Sequence, residues 1–315
     1  GIAGGNDVEF SPDGKKMCLI GYNSRRAVEI NLLGKIKESL FDGYGQIRDV
    51  CIYGPDGVYI ITGGDELRIW KSKNADSHDR ELVFSYDSDV IHGDEYNSEA
   101  GDQRAYVKQL AISKDGSLLA FGDDLGRIFL LDMDDFSILH HIEAYREEVL
   151  ALDISPDGNN IISLGEENKK QSFKKWSRNG KLLASRSITY SPGTTGMELQ
   201  FSPDGDFIVG DFNDGKLHML DVEGKTQKIL QKELVSNFTL GPEGDTILTS
   251  VWAYIQEEKY RLLDHMYLKK ITTRGEVLRQ FGGHKPLEIN DVVFNPGGGG
   301  FTVAGKGKII MWSRK

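Results

Sequence analysis

The side chains that could do chemistry gather in one stretch. Residues 87–106 read "DSDVIHGDEYNSEAGDQRAY" and set Asp87, Asp89, Asp94, Glu95, Glu99 and Asp102 around His92, Tyr96 and Tyr106. Carboxylates beside an imidazole suggest a cation site first. An EF-hand calcium loop needs a ligand at its fifth position and a glycine at its sixth. Here Ile91 stands fifth and Gly93 seventh, so the pattern fails. What remains is a docking surface for a basic or mixed partner, with the tyrosines as anchors, or a solvated loop.

Elsewhere the chemistry thins out. Asp211, Asn213 and Asp214 in "GDFNDGK" read better as a turn than as a metal site. His140 and His141 are adjacent in a predicted strand, where neighbouring side chains point to opposite faces and cannot chelate together. The seven histidines form no His-Glu-x-x-His pair, and the chain holds no Gly-x-Ser-x-Gly elbow and no Gly-x-x-x-x-Gly-Lys-Ser/Thr phosphate loop. Glu166-Glu167 and Glu257-Glu258 are adjacent loop acids, and nothing marks them as a glycosidase pair. Asn237-Phe238-Thr239 is a formal glycosylation signal inside a predicted inner strand, where it is expected to be inaccessible. No catalytic, cofactor-binding or metal-binding residue is assigned.

The bulk properties narrow the partner. The formal net charge is −10, which argues against nucleic acid, whose phosphates need a dense basic patch. Lys169, Lys170, Lys174 and Lys175 are the densest basic cluster and read as a solvated strand-and-loop face. No stretch approaches the ~20 apolar residues of a membrane span, and the opening "GIAGGNDVEF" lacks the regions of a signal peptide. Cys18 in "MCLIG" and Cys51 in "DVCIYG" are expected to be buried thiols in a reducing, cytoplasmic setting. The expectation is a protein partner, no nucleic acid and no membrane.

The elements that position these residues repeat. A turn of the Ser-Pro-Asp-Gly kind recurs seven times, its glycines at 14, 57, 116, 158, 205, 244 and about 297, with a base period near 42. An alternating apolar run precedes each turn ("VEFSPDG", "LDISPDG", "LQFSPDG"). A second run follows it ("YIITGG", "SLLAFGDD", "NIISLGE"). A third ends on an aromatic or an acid ("LRIWKS", "IFLLDM", "IIMWSR"), and a fourth comes after a small turn ("RNGKLLASRS", "TRGEVLRQF"). Four short β runs per unit predict a four-stranded antiparallel sheet. Proline presets φ early in the turn, and glycine tolerates φ > 0 at its end. One such sheet cannot bury both faces, but seven packed in a ring can.

These repeats resemble the WD-repeat family over essentially the whole chain. The family's Trp-Asp dipeptide is absent. Its place is taken by Trp70-Lys71, Leu131-Asp132, Trp176-Ser177, Leu220-Asp221 and Trp312-Ser313, and the opening Gly-His occurs once, at Gly283-His284. The Gly-Lys-x-Leu style of the fourth run looks most like prokaryotic members. The resemblance implies an all-β, seven-bladed propeller with blades at about 7–44, 47–104, 106–146, 148–194, 196–233, 235–286 and 289–315. It also implies a module for protein–protein interaction. The departures put the family's Asp–His–Ser–Trp hydrogen-bond network in question.

Blade seven stops at its third run, "KIIMWSRK", and lacks an outer strand. Either that blade has three strands, or the chain is a domain of a longer protein whose further segment closes the ring. The second is the expectation, because proteins cover unpaired edges, and other domains of the parent then become partners.

Two spacings, 57 to 116 and 244 to 297, exceed the period. The first insertion is the acidic segment above. The second, "SVWAYIQEEKYRLLDH", lies between the second and third runs of blade six and carries Trp252, Tyr254 and Tyr260. In an up-and-down blade both insertions fall on one face, the top of a WD-repeat propeller by resemblance. Long loops on a rigid scaffold are where function concentrates. If Trp252 and Tyr254 share a side of their strand they form an exposed aromatic platform; otherwise they pack on the next blade. The candidate partner-binding residues are Asp89, His92, Asp94, Glu95, Tyr96, Tyr106, Trp252, Tyr254 and Tyr260. The expected function is a non-catalytic recognition, sensor or scaffold propeller. The alternative is an enzyme or a small-ligand or metal-binding propeller that uses acidic top-face residues.

Overall fold

Each repeat becomes one antiparallel sheet because every apolar run is short, alternates, and ends at a turn that glycine or aspartate can close. A computed structural model describes residues 5–21, 27–33, 36–40, 47–87, 105–168, 170–188, 197–212, 214–257, 260–282, 289–305 and 308–313. Blade one holds β1 (Gly5–Phe10), β2 (Lys16–Gly21), β3 (Ala27–Asn31) and β4 (Ile36–Leu40). Blade two holds β5 (Ile47–Tyr53), β6 (Tyr59–Gly64), β7 (Leu67–Ser72) and β8 (Arg80–Tyr86). Blade three holds β9 (Val107–Ile112), β10 (Leu118–Asp123), β11 (Arg127–Asp132) and β12 (Ile138–Glu143). Blade four holds β13 (Val149–Ile154), β14 (Asn160–Glu167), β15 (Lys170–Ser177) and β16 (Leu182–Ile188). Blade five holds β17 (Leu199–Phe201), β18 (Ile208–Asp211), β19 (Leu217–Leu220) and β20 (Thr226–Gln231). Blade six holds β21 (Val235–Leu240), β22 (Thr246–Glu257), β23 (Tyr260–Thr272) and β24 (Val277–Phe281). Blade seven holds β25 (Ile289–Phe294), β26 (Gly300–Gly305) and β27 (Lys308–Ser313).

Strands within a blade pair in chain order. The inner strands lie side by side around the axis, and β25 meets β1 to close the ring. The core is seven separate clusters, one in each gap between neighbouring blades. Strand β10 shows how a period of two serves this plan. Leu119 and Phe121 enter the cluster shared with blade two, while Leu118 and Ala120 enter the one shared with blade four. A sheet buried on both faces therefore reads as the unbroken apolar run "LLAF".

The recurring turn locks the blades together. In Ser11-Pro12-Asp13-Gly14 the Gly14 N–H donates to the Ser11 carbonyl at 2.8 Å, and the Ser11 hydroxyl donates to Asp13 at 2.7 Å. Gly14 sits at φ +68°, a region that costs other residues strain. Each turn also touches its neighbour. A Cβ on Gly57, Gly116, Gly205 or Gly244 would lie 3.1–3.6 Å from Pro12, Pro55, Pro156 or Pro203 of the preceding blade. Proline of one turn thus meets glycine of the next at these four junctions, and more loosely at Gly298 against Pro242, on the face opposite the far end of the β22–β23 hairpin.

Two register irregularities recur. In six blades the first strand bulges against the second, as between Gly5 and Asp7, Val149 and Ala151, and Ile289 and Asp291. In all six four-stranded blades the fourth strand carries one extra residue near the end of the third: Lys37, Val83, Leu139, Leu183, Gln227 and Leu278. Bulges bend a strand and re-aim the side chains beside them. Cys18 and Cys51 are free and buried in the cluster between blades one and two.

Candidate functional site

The inner strands surround an axial cavity of about 490 Å³ lined by Asp7, Glu9, Asp153, Glu198 and Asp291. An innermost strand has one edge with no strand beside it, and its N–H groups need acceptors. The carboxylates supply them across the gap to the next blade. Asp291 accepts from the Val8 N–H at 2.9 Å, Asp7 from the Cys51 N–H at 2.6 Å and Asp153 from the Phe201 N–H at 2.7 Å. Glu198 accepts from the Phe238 N–H at 3.3 Å, and Gln200 extends the series to the Leu240 N–H at 3.0 Å. Asp7 and Asp291 directly follow a first-strand bulge.

These carboxyls are hard to ionise. Burial pushes Asp153 up to about 7. Burial and the Asp291 charge push Glu9 up to about 8. Burial, then repulsion from a neighbouring carboxylate, raises Asp7 and Glu198 well above the usual range. Sequence reasoning missed this set, although a visible signal existed: carboxylates inside otherwise apolar first strands, in "NDVEF", "ALDIS" and "INDVVF". Among the described residues, no group of three His, Cys, Asp or Glu is arranged to hold a metal ion.

The insertion face is built differently. Asp89, His92, Asp94, Glu95 and Tyr96 lie outside the described residues. Tyr106 is half-buried just before β9, and its N–H donates to Asp124 at 2.8 Å. The blade-six insertion is a ladder rather than a loop. β22 and β23 run 12 and 13 residues and stay paired from Thr246–Thr272 out to Glu257–Tyr260. Tyr254 lies on β22 and Tyr260 opens β23. Trp252 is half-buried and packs on the cluster between blades six and seven, beside Met266 and Ile289. Acids recur on the same face at the links of blades three and four. Asp123 holds Arg127 at 2.6 Å, and burial together with Glu147 and Glu148 raises the Glu166 carboxyl.

A small polar knot marks blade four. Ser163 accepts from the Trp176 indole N–H at 2.9 Å and shares a 2.6 Å hydrogen bond with the Tyr145 hydroxyl. Gly165 makes room for that tyrosine, since a Cβ there would sit 2.4 Å from its ring. Blade two keeps half of the knot, with Trp70 donating to Thr62 at 3.1 Å. The model of the WD domain, G-beta repeat, matches residues 275–313. That span is the fourth strand of blade six followed by the three strands of blade seven, set in a ring of seven blades. The chain is a seven-bladed β-propeller, and its last repeat matches the WD domain.

WD repeat-containing protein 62 from Sus scrofa is 27% identical over 169 residues. The aligned segment covers 45% of this chain and 11% of that relative, so the chain corresponds to a small part of the relative's length. WD-repeat propellers are in general protein-interaction modules and in general non-catalytic. No helix among the described residues is long and apolar enough to cross a membrane.

An acid paired with a buried basic side chain on the third strand recurs around the ring: Glu66–Arg68 at 3.4 Å, Asp123–Arg127 at 2.6 Å and Glu167–Lys174 at 2.6 Å, with Glu233–Lys269 in blade six, while in blade five the His218 ring lies 3.0 Å from Asp214. The Lys174 ammonium also lies 4.5 Å above the Tyr145 ring. Ser163→Ala leaves the Trp176 indole N–H and the Tyr145 hydroxyl without this partner in a buried site and is expected to cost about 1–3 kcal/mol. Urea unfolding checks this, and a loss no larger than that of an exposed serine would remove the knot from the account.

Proposed function

We propose that this propeller is a non-catalytic protein–protein interaction module, a recognition or scaffold element that engages its partner through the insertion face. The observation that carries the reading is the β22–β23 hairpin. It extends a blade on the face where β8 ends and β9 begins and where the acids of blades three and four lie. Rigid elements present contact residues at little entropic cost on binding. The acids suit a basic or mixed partner, and Asp89, His92, Asp94, Glu95, Tyr96, Tyr106, Trp252, Tyr254 and Tyr260 are the proposed contacts. A cytoplasmic setting and partner domains within a parent chain belong to the same proposal.

The test is affinity capture from host lysate, read by mass spectrometry. The intact chain is compared with one whose 88–105 segment is a Gly/Ser linker and with one whose β22–β23 hairpin is shortened. A partner lost with either change is the expected result; one retained by both removes the insertion face from the proposal. Circular dichroism checks that the ring survives. A second reading, a small-ligand or enzyme propeller, is favoured by the axial cavity and its raised carboxyl pKa values. Under the first reading, a metabolite and metal screen gives no saturable binding that depends on Glu9 or Asp153.

A further inference from the structure

The sequence contains two cysteines, and the fold sets them against each other. On β2, Cys18 and Ile20 turn into the gap between blades one and two; on β5, Cys51 and Tyr53 enter the same gap from the other side. Both thiols are free and fully buried, and the Cys51 thiol is in hydrogen-bonding contact with Cys18. The backbone on either side of the pair is pinned across the seam. Toward the axis, the Cys51 N–H donates to Asp7 of blade one at 2.6 Å. Toward the rim, Tyr53 and Arg80 of blade two hold Glu29, the residue that pairs with Cys18 in the β2–β3 ladder.

The repeat shows what these two positions hold elsewhere. Cys18 is the fourth residue after one turn glycine, and Cys51 is the third before the next turn. The same two positions face each other as Ile61 and Leu110 between blades two and three, as Ala120 and Leu152 between blades three and four, and as Ile162 and Leu199 between blades four and five. There they are apolar packing and nothing more. A single core cysteine would be the same, a small hydrophobe. Two in contact across one seam are a single bond short of a covalent link. We propose that Cys18 and Cys51 form a redox staple, a dithiol that a hydroperoxide oxidises to a disulfide joining blade one to blade two.

A buried pair calls for a small oxidant, and hydrogen peroxide is one. One thiolate attacks a peroxide oxygen: an S–O bond forms, the O–O bond breaks, and the departing hydroxide takes up a proton and leaves as water. The second thiolate attacks the sulfenic sulfur: the S–S bond forms, the S–O bond breaks, and hydroxide again leaves as water. Two thiols and one peroxide thus give one disulfide and two waters, and the sulfurs lose the two electrons that the peroxide gains. Burial, then the Cys18 contact, then Asp7 and Glu9 hold the Cys51 thiol well above its usual range. A thiol is unreactive until it ionises, so the staple closes slowly and answers a sustained oxidant rather than a brief one. Once closed, it restricts the unfolded chain and stabilises the ring.

The test is a hydrogen peroxide titration of the reduced, folded chain. Exposed Met311 serves as an internal gauge of dose. Intact mass after alkylation in denaturant counts the thiols, and non-reducing peptide mapping locates any link. Both thiols are expected to disappear together, with the loss of two hydrogens and a peptide joining β2 to β5. Dithiothreitol should restore them, and the oxidised form should melt several degrees higher. Cys18→Ala and Cys51→Val use residue types that other blades carry at these positions, Ala120 and Val292. Either variant alone should show no melting shift, and its remaining cysteine should be trapped by dimedone as the sulfenic acid. Four results would each overturn the proposal: thiols that survive a dose converting Met311 to its sulfoxide, a disulfide that forms only in urea, oxidation to sulfinic acid without a disulfide, or a link between two chains. A melting temperature that falls on oxidation would also overturn it, because the bond would then strain the seam instead of fastening it.

Discussion

Glu29→Ala is expected to lower folding stability by about 3–5 kcal/mol, the scale of a buried ion pair broken from one side. Glu29 lies fully buried between blades one and two, where Tyr53 donates to it at 2.8 Å and Arg80 at 3.1 Å. The Lys16 ammonium is 3.4 Å away and the His78 ring 3.0 Å away. Burial alone would raise this carboxyl; Arg80, His78, Tyr53 and Lys16 outweigh it and hold the group below its usual value. Its contribution is therefore present above the unfolded carboxylate pKa and is lost as pH falls through the lower folded value. Without the carboxylate, Lys16 and Arg80 are left as buried cations facing each other. Glu29→Gln keeps an acceptor for Tyr53 and Arg80 and should fall at the low end of the range. Urea unfolding near neutral pH decides the matter. A loss below about 1 kcal/mol, the scale of an exposed pair, would mean that this hub does not fasten blade two to blade one.

The second large effect is one of pH, and its sign is opposite. Glu9, Asp153 and Asp211 are raised to about 8, about 7 and about 8, chiefly by burial. Asp7, Glu198 and Asp291 are raised too, with burial again the first cause. A carboxyl whose folded pKa exceeds its unfolded value adds stability that is complete below the unfolded pKa, near 4, and fades as pH rises through the folded one. The propeller is therefore expected to weaken between about pH 6 and pH 9, by several kcal/mol summed over the ring. The turn aspartates pull the other way in acid. Asp115 is lowered to about 2 by the Ser113 and Ser117 hydrogen bonds, and Asp157 and Asp204 are lowered by similar partners. The optimum should lie in mild acid. Asp153→Asn keeps an acceptor for the Phe201 N–H and removes the proton, so it should flatten the profile near pH 7. Glu9→Gln should do so near pH 8. Stability that stays constant or rises across this window would show that the axial carboxyls ionise freely.

Much of the architecture was legible because its causes are local. Ser-Pro-Asp-Gly builds its own turn, and the alternation of "LLAF" suits a sheet buried on both faces wherever that sheet is placed. That blade seven has three strands among the described residues could be read by comparing "KKWSRNGKLLASRS" with "KIIMWSRK". The axial carboxylates were not found, because a charged residue in a strand reads as a solvent-facing position until the neighbouring blade's N–H groups are in view. Tyr145 escaped for a related reason: nothing in "EAYREE" signals that its hydroxyl meets Ser163, 18 residues away.

By itself, then, the chain's period, its turns and its alternating runs determined seven blades, their strand order and the face on which the insertions emerge. These follow from backbone sterics and from side chains a few residues apart. Only the tertiary structure decided which carboxylates bridge adjacent blades and which cations the buried Glu29 neutralises. Those outcomes depend on bulges that shift register by one residue and on contacts between strands from different repeats, and neither is encoded in the spacing within any one repeat.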